Sequence, residues 1–379
     1  MVEPPLPFGN AVARWYYVLL KGLVKRGHRV TAFASCSRPE EIEKAKSLFA
    51  PPDYDLQCYA HPERRGLWAK WETMRRPYSY MFSADLRRDL AIERARGFDV
   101  LHLEVLWSGW LGLAHSERAV INLHYLFEID LANVPPSSFA DQVRRLITCR
   151  SERYLLRHYP TIISPSSRLS ARVREISPTS NVHTVPLGMD LSLYPFKNGE
   201  RAGCEPVVGL IGSFNWQPTY SAGIRLLTRL WPEIKRHVPK ARLQIVGREA
   251  RAALRDFLGM PDVIIQENVA DTIPYFLSTD VLLYAPSRGS GMKVKVLEAF
   301  ALGVPVVTTS EGVEGIPAQD GIHAGVCEDD AGLIERTVEL ISHPGRQERQ
   351  RIAARALIES HCSPSPTLDA LEQIYKNMI

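Results

Sequence analysis

The segment 287–307, SRGSGMKVKVLEAFALGVPVV, constrains the fold of this chain more than any other. An apolar run, Val281–Ala285, precedes it, and a glycine-rich stretch then leads into a helical pattern and a second apolar run. Strand, loop, helix and strand in this order predict a βαβ unit and therefore a parallel sheet. The chain is thus predicted to belong to the α/β class.

The loop of this unit carries residues suited to a phosphate group. Gly289 and Gly291 let the backbone approach a ligand closely, while Lys293 and Lys295 stand at the helix start. A helix start presents unpaired N–H groups and a partial positive charge, which attract phosphate. Glu298, about one and a half turns later, is placed to accept hydrogen bonds from ribose hydroxyls. The pattern favours a nucleoside diphosphate, although similar turns with solvated lysines also occur without a ligand.

Composition excludes several classes of protein. The chain has 379 residues, enough for two or three domains, with 45% hydrophobic and 23% charged residues. No apolar run reaches the length of a membrane span, and the first ten residues lack the features of a signal peptide. Six cysteines without a CxxC pair argue against zinc, dithiol chemistry and a disulfide framework, so we expect a cytoplasmic protein.

The positive charge lies mainly in the first half of the chain. Residues 1–195 hold 26 Lys and Arg against 20 Asp and Glu, within a net charge of +4 for the whole chain. No dense basic stripe or nucleic-acid-binding module is visible, so we expect no nucleic-acid partner. A basic face of this kind suits an anionic membrane or a lipid-linked substrate.

Strand and helix signals alternate along the chain and predict two doubly wound domains. We place them at 1–190 and 207–360, with a linker at 191–206 and a C-terminal helix at 361–379. Ligands of such sheets bind at the carboxyl ends of the strands, so we expect the site in the cleft between the domains. The predicted strands are Arg29–Ala34, Asp99–Glu104, Ala119–Leu123, Thr161–Ser164, Val182–Val185, Pro206–Gly212, Leu243–Val246, Val263–Gln266, Val281–Ala285, Val304–Thr308 and His323–Val326.

The usual first strand of a doubly wound domain is missing from the pattern. Only Met1 and Val2 precede the loop sequence PPLPFG. Either the first strand is unusually short or replaced, or the chain start is placed too late. We favour a late start and expect an upstream in-frame segment that encodes this strand.

Four segments in order resemble the family 4 glycosyltransferases. They are 4–34, with its RGH turn, 185–196 (VPLGMDLSLYPF), 207–223 and 279–316. The GSGMKVKVLEA loop is similar to a bacterial subgroup of exopolysaccharide and lipid-linked sugar transferases. The resemblance implies an α/β fold of GT-B type, with two facing Rossmann-like domains built on parallel sheets. The acceptor would bind to domain 1–190 and the nucleotide-sugar donor to domain 207–360.

The same resemblance implies a retaining transferase for polysaccharide or related biosynthesis. It would move a sugar, such as a hexose, from a nucleotide-diphosphate sugar to a hydroxyl of a glycan, a lipid-linked molecule or a small molecule. The nucleotide sugar is a co-substrate, and no cofactor is implied. We expect a metal-independent reaction.

Two positions depart from the family's donor site. Glu298 matches the second glutamate of its E-x7-E motif, which contacts the ribose, and a buried salt bridge is the alternative role. Ser290 replaces the first glutamate, which contacts the transferred sugar. The loop at Gly212 and Ser213 lacks the family's Arg and Lys, which hold the diphosphate. The missing charge is expected from the glycine-rich loop and helix start, with Lys293 and Arg288 preferred and Lys295 third.

Three residues of the first domain complete the implied site. His124 follows an apolar strand, and the family has a histidine at that strand end, which reaches the sugar. The alternative is a histidine bonded into loop backbone. Gly9 and Asn10 occupy the family's first glycine loop, where Asn10 replaces a second glycine. Glu128 and Asp130 are expected at the surface rather than in contact with an acceptor.

Residues 63–90 mix seven Lys and Arg with five aromatic residues. One interpretation is peripheral contact with the inner face of a membrane. The other is an ordinary amphipathic helix that closes an acceptor site.

Other functions fit the sequence less well. The main alternative is a catalytically inactive GT-B protein that serves as a binding partner or scaffold, suggested by Ser290 and the missing Arg and Lys. A phosphorylase or an epimerase would need an inorganic-phosphate site or paired carboxylates, which the sequence does not show. An oxidoreductase would need GxGxxG after the first strand, and that pattern is absent.

Overall fold

Parallel strands covered by helices form both units of the chain in the computed structural model, which describes residues 1–9, 11–63, 66–132, 134–197 and 205–379. The first unit comprises Met1–Met189 and Pro364–Ile379, and the second comprises Asp190–Ser363. The last helix, which we predicted as a separate segment, is thus grouped with the first unit. Most predicted strands are present, with ends that differ by one or two residues.

In the described residues of the first unit, six strands form two parallel sheets, with orders β1-β2 and β3-β4-β5-β6. The strand β2 was not predicted, because DLQCYA has no long apolar run and its residues are half-buried or exposed. The elements are α1 (Ala11–Lys25), β1 (Thr31–Cys36), α2 (Glu40–Leu48), β2 (Asp55–Ala60), α3 (Gly66–Arg75), α4 (Ala84–Arg96), β3 (Leu101–Glu104), α5 (Gly109–Gly112), β4 (Ala119–Asn122), α6 (Phe127–Asp130), α7 (Phe139–His158), β5 (Thr161–Ser164), α8 (Ser167–Ile176) and β6 (Asn181–Thr184).

The backbone of Met1 lies beside β1. Its amino group donates to the carbonyl of Phe33 at 2.8 Å, and its carbonyl accepts from the amide of Ser35 at 3.1 Å. These two bonds reproduce the pairing of neighbouring parallel strands. The expectation of a late chain start stays a prediction.

In the described part of the second unit, the strands form one parallel sheet in the order β12-β11-β10-β7-β8-β9. Its short strands are largely buried on both faces, which explains their apolar runs. The predicted helix Ser221–Val238 starts earlier than expected and contains a π-helical turn at Leu226–Leu230. The elements are β7 (Val207–Ile211), α9 (Gln217–Arg225), α10 (Trp231–His237), β8 (Arg242–Gly247), α11 (Ala250–Ala253), β9 (Val263–Glu267), α12 (Ile273–Leu277), β10 (Val281–Tyr284), α13 (Val294–Leu302), β11 (Val306–Thr308), β12 (Gly325–Val326), α14 (Asp330–Ser342) and α15 (Pro344–His361).

The C-terminal helix α16 (Pro364–Lys376) packs against α1 within the first unit. Leu368 lies so close to Gly22 that a Cβ there would be 2.3 Å from its Cδ1 atom. The guanidinium of Arg26 adds ion pairs to Asp369 at 2.6 Å and Glu372 at 2.9 Å. The packing of α16 on α1 explains why the end of the chain is grouped with its beginning.

In the part of the chain that the structure describes, no helix has the length and apolar character needed to cross a membrane.

Candidate functional site

The order of strands in the second unit reverses between β7 and β10. From β7 the chain builds β8 and β9 on one side, and then β10, β11 and β12 on the other. In open parallel sheets, ligands bind beyond the carboxyl ends of the strands where the order reverses. Here those ends lead into loops 212–216 and 285–293, so the fold brings together two segments singled out in the sequence.

The loop after β7 is held tightly against the end of β8. The amide of Gly212 donates to the carbonyl of Val246 at 2.9 Å, and the amide of Phe214 donates to that of Arg248 at 2.9 Å. A Cβ atom on Gly247 would lie 1.7 Å from the carbonyl oxygen of Gly212, so only glycine fits there. Ser213, within this loop, is half-buried.

The ammonium of Lys293 is buried and is bound within its own loop, 285–293. Its Nζ atom donates to the carbonyls of Ser290 at 3.2 Å and Gly291 at 2.6 Å, and it lies 3.6 Å from Oε2 of Glu314. The side chains of Lys293 and Glu314 are only 4% and 5% exposed. The ammonium therefore shapes the loop that carries it and is neutralised by a buried carboxylate.

Lys295 points toward the other loop. Its Nζ atom donates to Oγ1 of Thr219, in the first turn of α9, at 3.0 Å and lies 4.2 Å from the ring centre of Tyr284. Its Cε atom would be 2.4 Å from a Cβ on Gly212. Within the described ranges no carboxylate forms an ion pair with it. Burial, together with the charge of Lys293, lowers the pKa of Lys295 to about 7.

The remaining predicted donor residues surround these lysines in different environments. Ser290 and Glu298 are buried, at 4% and 9% exposure, and Tyr194 donates to Oε1 of Glu298 at 3.5 Å. Arg288 is exposed. Glu311 accepts from the amide of Gly289 at 3.2 Å, which fixes the loop.

A buried carboxylate lies at the carboxyl end of β3 in the first unit. Glu104 is 1% exposed and accepts hydrogen bonds on both oxygens. Oε2 accepts from Nε2 of His124 at 2.7 Å, while Oε1 accepts from Nε2 of His102 at 2.8 Å and from the indole of Trp15 at 3.0 Å. The side-chain Nδ2 of Asn122 donates to Oε1 at 3.1 Å and to Oε2 at 3.3 Å. Burial alone would raise the pKa of Glu104, but the hydrogen bonds from His102 and His124 hold that pKa well below its usual range.

The other residues singled out in the first domain are more dispersed. Gly9 is exposed, with a φ of +91°, and Asn10 lies outside the described residues. Glu128 forms ion pairs with Arg153, at 2.8 Å, and with Arg172, whereas Asp130 is buried. The surface position that we expected for Asp130 is therefore wrong, because α6 turns its side chain inward.

Sequence reasoning missed Glu104 and ranked Lys295 last among the cations. A signal for Glu104 was present, since it ends an apolar strand, the same position that singled out His124. The sequence shows Lys293 and Lys295 only as two lysines at a helix start. Their different partners become visible only in the folded loop.

Two family models match successive parts of the chain. The model for "Glycosyltransferase Family 4" matches residues 12–193, and the model for "Glycosyl transferases group 1" matches residues 205–343. Among curated proteins none matches the sequence significantly.

Several solved structures share the fold over nearly the whole chain. Sucrose-phosphate synthase from Thermosynechococcus elongatus has a TM-score of 0.73 at 14% identity, over 98% of this chain and 94% of that chain. Anabaena HepE in complex with UDP and glucose has a TM-score of 0.69 at 12% identity, over 99% and 98%. WaaG, a glycosyltransferase involved in lipopolysaccharide biosynthesis, has a TM-score of 0.66 at 14% identity, over 97% and 97%.

At these identities the likeness shows the fold, which is GT-B with two Rossmann-like domains on parallel sheets. The family models cover both of these domains. Both models describe glycosyltransferases, and together they match most of the chain. The chain is therefore a glycosyltransferase that transfers a sugar from a nucleotide sugar.

Proposed function

We propose that this protein is a retaining, metal-independent glycosyltransferase that moves a hexose or related sugar from a UDP-sugar to a hydroxyl acceptor. The observation that carries the proposal is the position of Lys295 beside Gly212 and Thr219, where the strand order reverses. A nucleotide is favoured there because a cation without a carboxylate partner in the described ranges lies at the start of α13. UDP is the preferred nucleotide because the similar Anabaena HepE has been solved with UDP and with UDP-glucose.

Lys295 supplies the charge that the loop after β7 lacks. A departing nucleoside diphosphate gains negative charge in the transition state, and cations already in place stabilise it without reorganisation. Lys293 is less suited to this role, because its ammonium is occupied by two carbonyls and by Glu314. We therefore assign Lys293 to loop structure, with Arg288 as a second, exposed cation for the phosphates.

The remaining donor contacts follow from burial and position. Glu298, held by Tyr194, accepts from the ribose hydroxyls, while Ser290 and the amide of Ser213 contact the sugar and the phosphates. Gly212, whose own amide is bonded to Val246, lets the backbone approach the ligand closely. His124 of the first unit contacts the transferred sugar. The departing phosphate takes the proton of the acceptor hydroxyl on the face it leaves, which retains the anomeric configuration.

The acceptor binds to the first unit, and the basic segment 63–90 suggests a lipid-linked acceptor at the inner face of a membrane. On α3, the side chains of Trp71 and Met74 are 49% and 57% exposed, and the guanidinium of Arg75 lies 5.5 Å from the Trp71 ring. Exposed aromatic and basic side chains on one helix suit the interface of an anionic bilayer. The GSGMKVKVLEA subgroup of lipid-linked sugar transferases points the same way.

Nucleotide binding and product stereochemistry test the proposed function. We expect UDP to raise the Tm more than GDP or ADP, because only a ligand of the folded state stabilises it. Incubation with UDP-sugars and a hydroxyl acceptor should give a product whose anomeric coupling constant in NMR matches that of the donor. If no nucleotide changes the Tm, the inactive scaffold becomes the better interpretation.

Substitution of the two lysines should separate binding from folding. We expect Lys295→Met to weaken UDP binding roughly 100-fold, since the loss of one such contact costs about 3 kcal/mol. Lys293→Met should instead lower the Tm, because Glu314 would be left buried without its cation. Isothermal titration calorimetry and thermal unfolding measure the two effects, with Lys240→Met on the exposed surface as control. Wild-type affinity in Lys295→Met would contradict the assignment.

The affinity for UDP should fall as the pH rises from 7 to 9. Free Lys295 titrates near pH 7 because its pKa is lowered, and a bound diphosphate favours its charged form. Binding at pH 8 should therefore take up a proton, and affinity should decrease by up to about tenfold per pH unit. Calorimetry in two buffers with different ionisation enthalpies measures the uptake. The Lys295→Met variant should show neither effect, and a pH-independent wild-type affinity would refute this prediction.

Removal of the exposed side chains of α3 should weaken membrane binding. We expect Trp71→Ser combined with Met74→Ser to reduce the affinity for phosphatidylglycerol vesicles, measured by sedimentation, at least about 100-fold, because burial of each side chain contributes about 1.5–3 kcal/mol. Ile352→Ser, at a residue that is 53% exposed on α15 of the second unit, is the matched control. Equal sedimentation of both variants would favour the helix that closes an acceptor site.

A further inference from the structure

We infer that Glu104 is a positioning residue for sugar transfer, which holds the imidazole of His124 through its Nε2–H group and turns Nδ1 toward the sugar. The inference rests on the proposed role of His124. It adds a residue that no sequence motif singles out, together with the hydrogen-bond network that supports it.

The geometry gives Glu104 one role toward both histidines. Its carboxylate accepts from Nε2 of His124 at 2.7 Å and from Nε2 of His102 at 2.8 Å. An ionised carboxylate can only accept hydrogen bonds, so both imidazoles must carry a proton on Nε2. The low pKa of Glu104 keeps it ionised across the neutral range.

The Nδ1 atoms of the two histidines then differ in their partners. Nδ1 of His102 bonds to the hydroxyl of Tyr375, on α16, at 2.5 Å. In the described part of the chain, Nδ1 of His124 has no hydrogen-bond partner, while the edge-on ring of Tyr16 lies against the imidazole at 6.3 Å between centroids. His102 is thus satisfied on both nitrogens, and His124 keeps one nitrogen available for a ligand hydroxyl.

The backbone is strained at the residue that follows Glu104. Val105, directly after Glu104, has φ +67° and ψ 139°, which is strained for a β-branched residue. Its amide donates to the carbonyl of Asn122 at 2.9 Å, and its carbonyl accepts from the hydroxyl of Ser108 at 2.8 Å. Such strain persists only where surrounding contacts enforce it, and here it directly follows Glu104, the buried carboxylate at the end of β3.

The carboxylate is also held by groups that do not involve His124. The indole of Trp15 donates to Oε1 at 3.0 Å, on the oxygen that does not contact His124. This contact provides a matched control, because its loss removes a hydrogen bond to the same carboxylate and leaves the His124 contact in place.

The first test measures the histidine in the wild-type protein. With ring-¹⁵N-labelled histidine, and with the His124 signals assigned by their loss in His124→Gln, NMR should show His124 protonated on Nε2. A neutral His124 protonated on Nδ1 instead would overturn the inference. This measurement does not depend on transferase activity, so it stands even if the proposed function fails.

The second test uses Glu104→Gln, which keeps the shape of the side chain and removes its charge. A carboxamide offers one acceptor oxygen and an NH₂ group, so it cannot accept from both histidines. We expect kcat for sugar transfer to fall about tenfold or more, with UDP affinity unchanged, because UDP is held by the second unit. Trp15→Phe should keep kcat within about twofold, since a hydrogen bond lost without change in the reacting groups acts on stability.

The outcomes separate positioning from support of the fold. A loss of kcat in Glu104→Gln together with a changed tautomer of His124 supports the inference. Wild-type kcat in Glu104→Gln, or an equal loss in Trp15→Phe, overturns it. If Glu104→Gln fails to fold, the tautomer of the wild-type protein decides.

Discussion

Reversal of strand order in the second sheet is the constraint on which the candidate donor site depends. Parallel strands cannot be joined by tight turns, so each connection crosses a face of the sheet and returns to the same end. Because β10 is added beside β7 and not beside β9, the loops after β7 and β10 meet at one edge. Glycines at 212, 247 and 289 allow the approach, since a Cβ at any of them would collide with a neighbour.

The placement of charge in this site follows from desolvation. A buried ammonium must be paired, and Lys293 meets that demand with two carbonyls and Glu314. Lys295, beside a hydroxyl and an aromatic ring, keeps a depressed pKa. An anionic ligand bound there would relieve the desolvation of Lys295 but would compete with Glu314 for Lys293. The two lysines are therefore not equivalent, although they are two residues apart.

In the first unit the buried charge is an anion, the carboxylate of Glu104, and it is stabilised by hydrogen-bond donors. Glu104 is buried with hydrogen bonds from His102, His124, Trp15 and Asn122, which favour its ionised form. These partners come from α1, β3, β4 and the loop after β4, and Tyr375 of α16 extends the network through His102. The packing of α16 on α1 therefore also places the Tyr375 hydroxyl beside His102, within the hydrogen-bond network of Glu104.

The sequence by itself determined the α/β class, the two Rossmann-like units and the resemblance to glycosyltransferases. The spacing of apolar residues and the turn residues are local features, so they can be interpreted without tertiary contacts. The sequence also located His124 and the glycine-rich loop at strand ends, and Glu298 on the helix that follows this loop. Only the tertiary structure distinguished Lys293 from Lys295, revealed Glu104 and placed α16 on the first unit. These features depend on which distant groups surround a side chain after folding, such as Thr219 for Lys295 and His124 for Glu104. Burial and pairing are set by those neighbours, and residue type alone does not encode them.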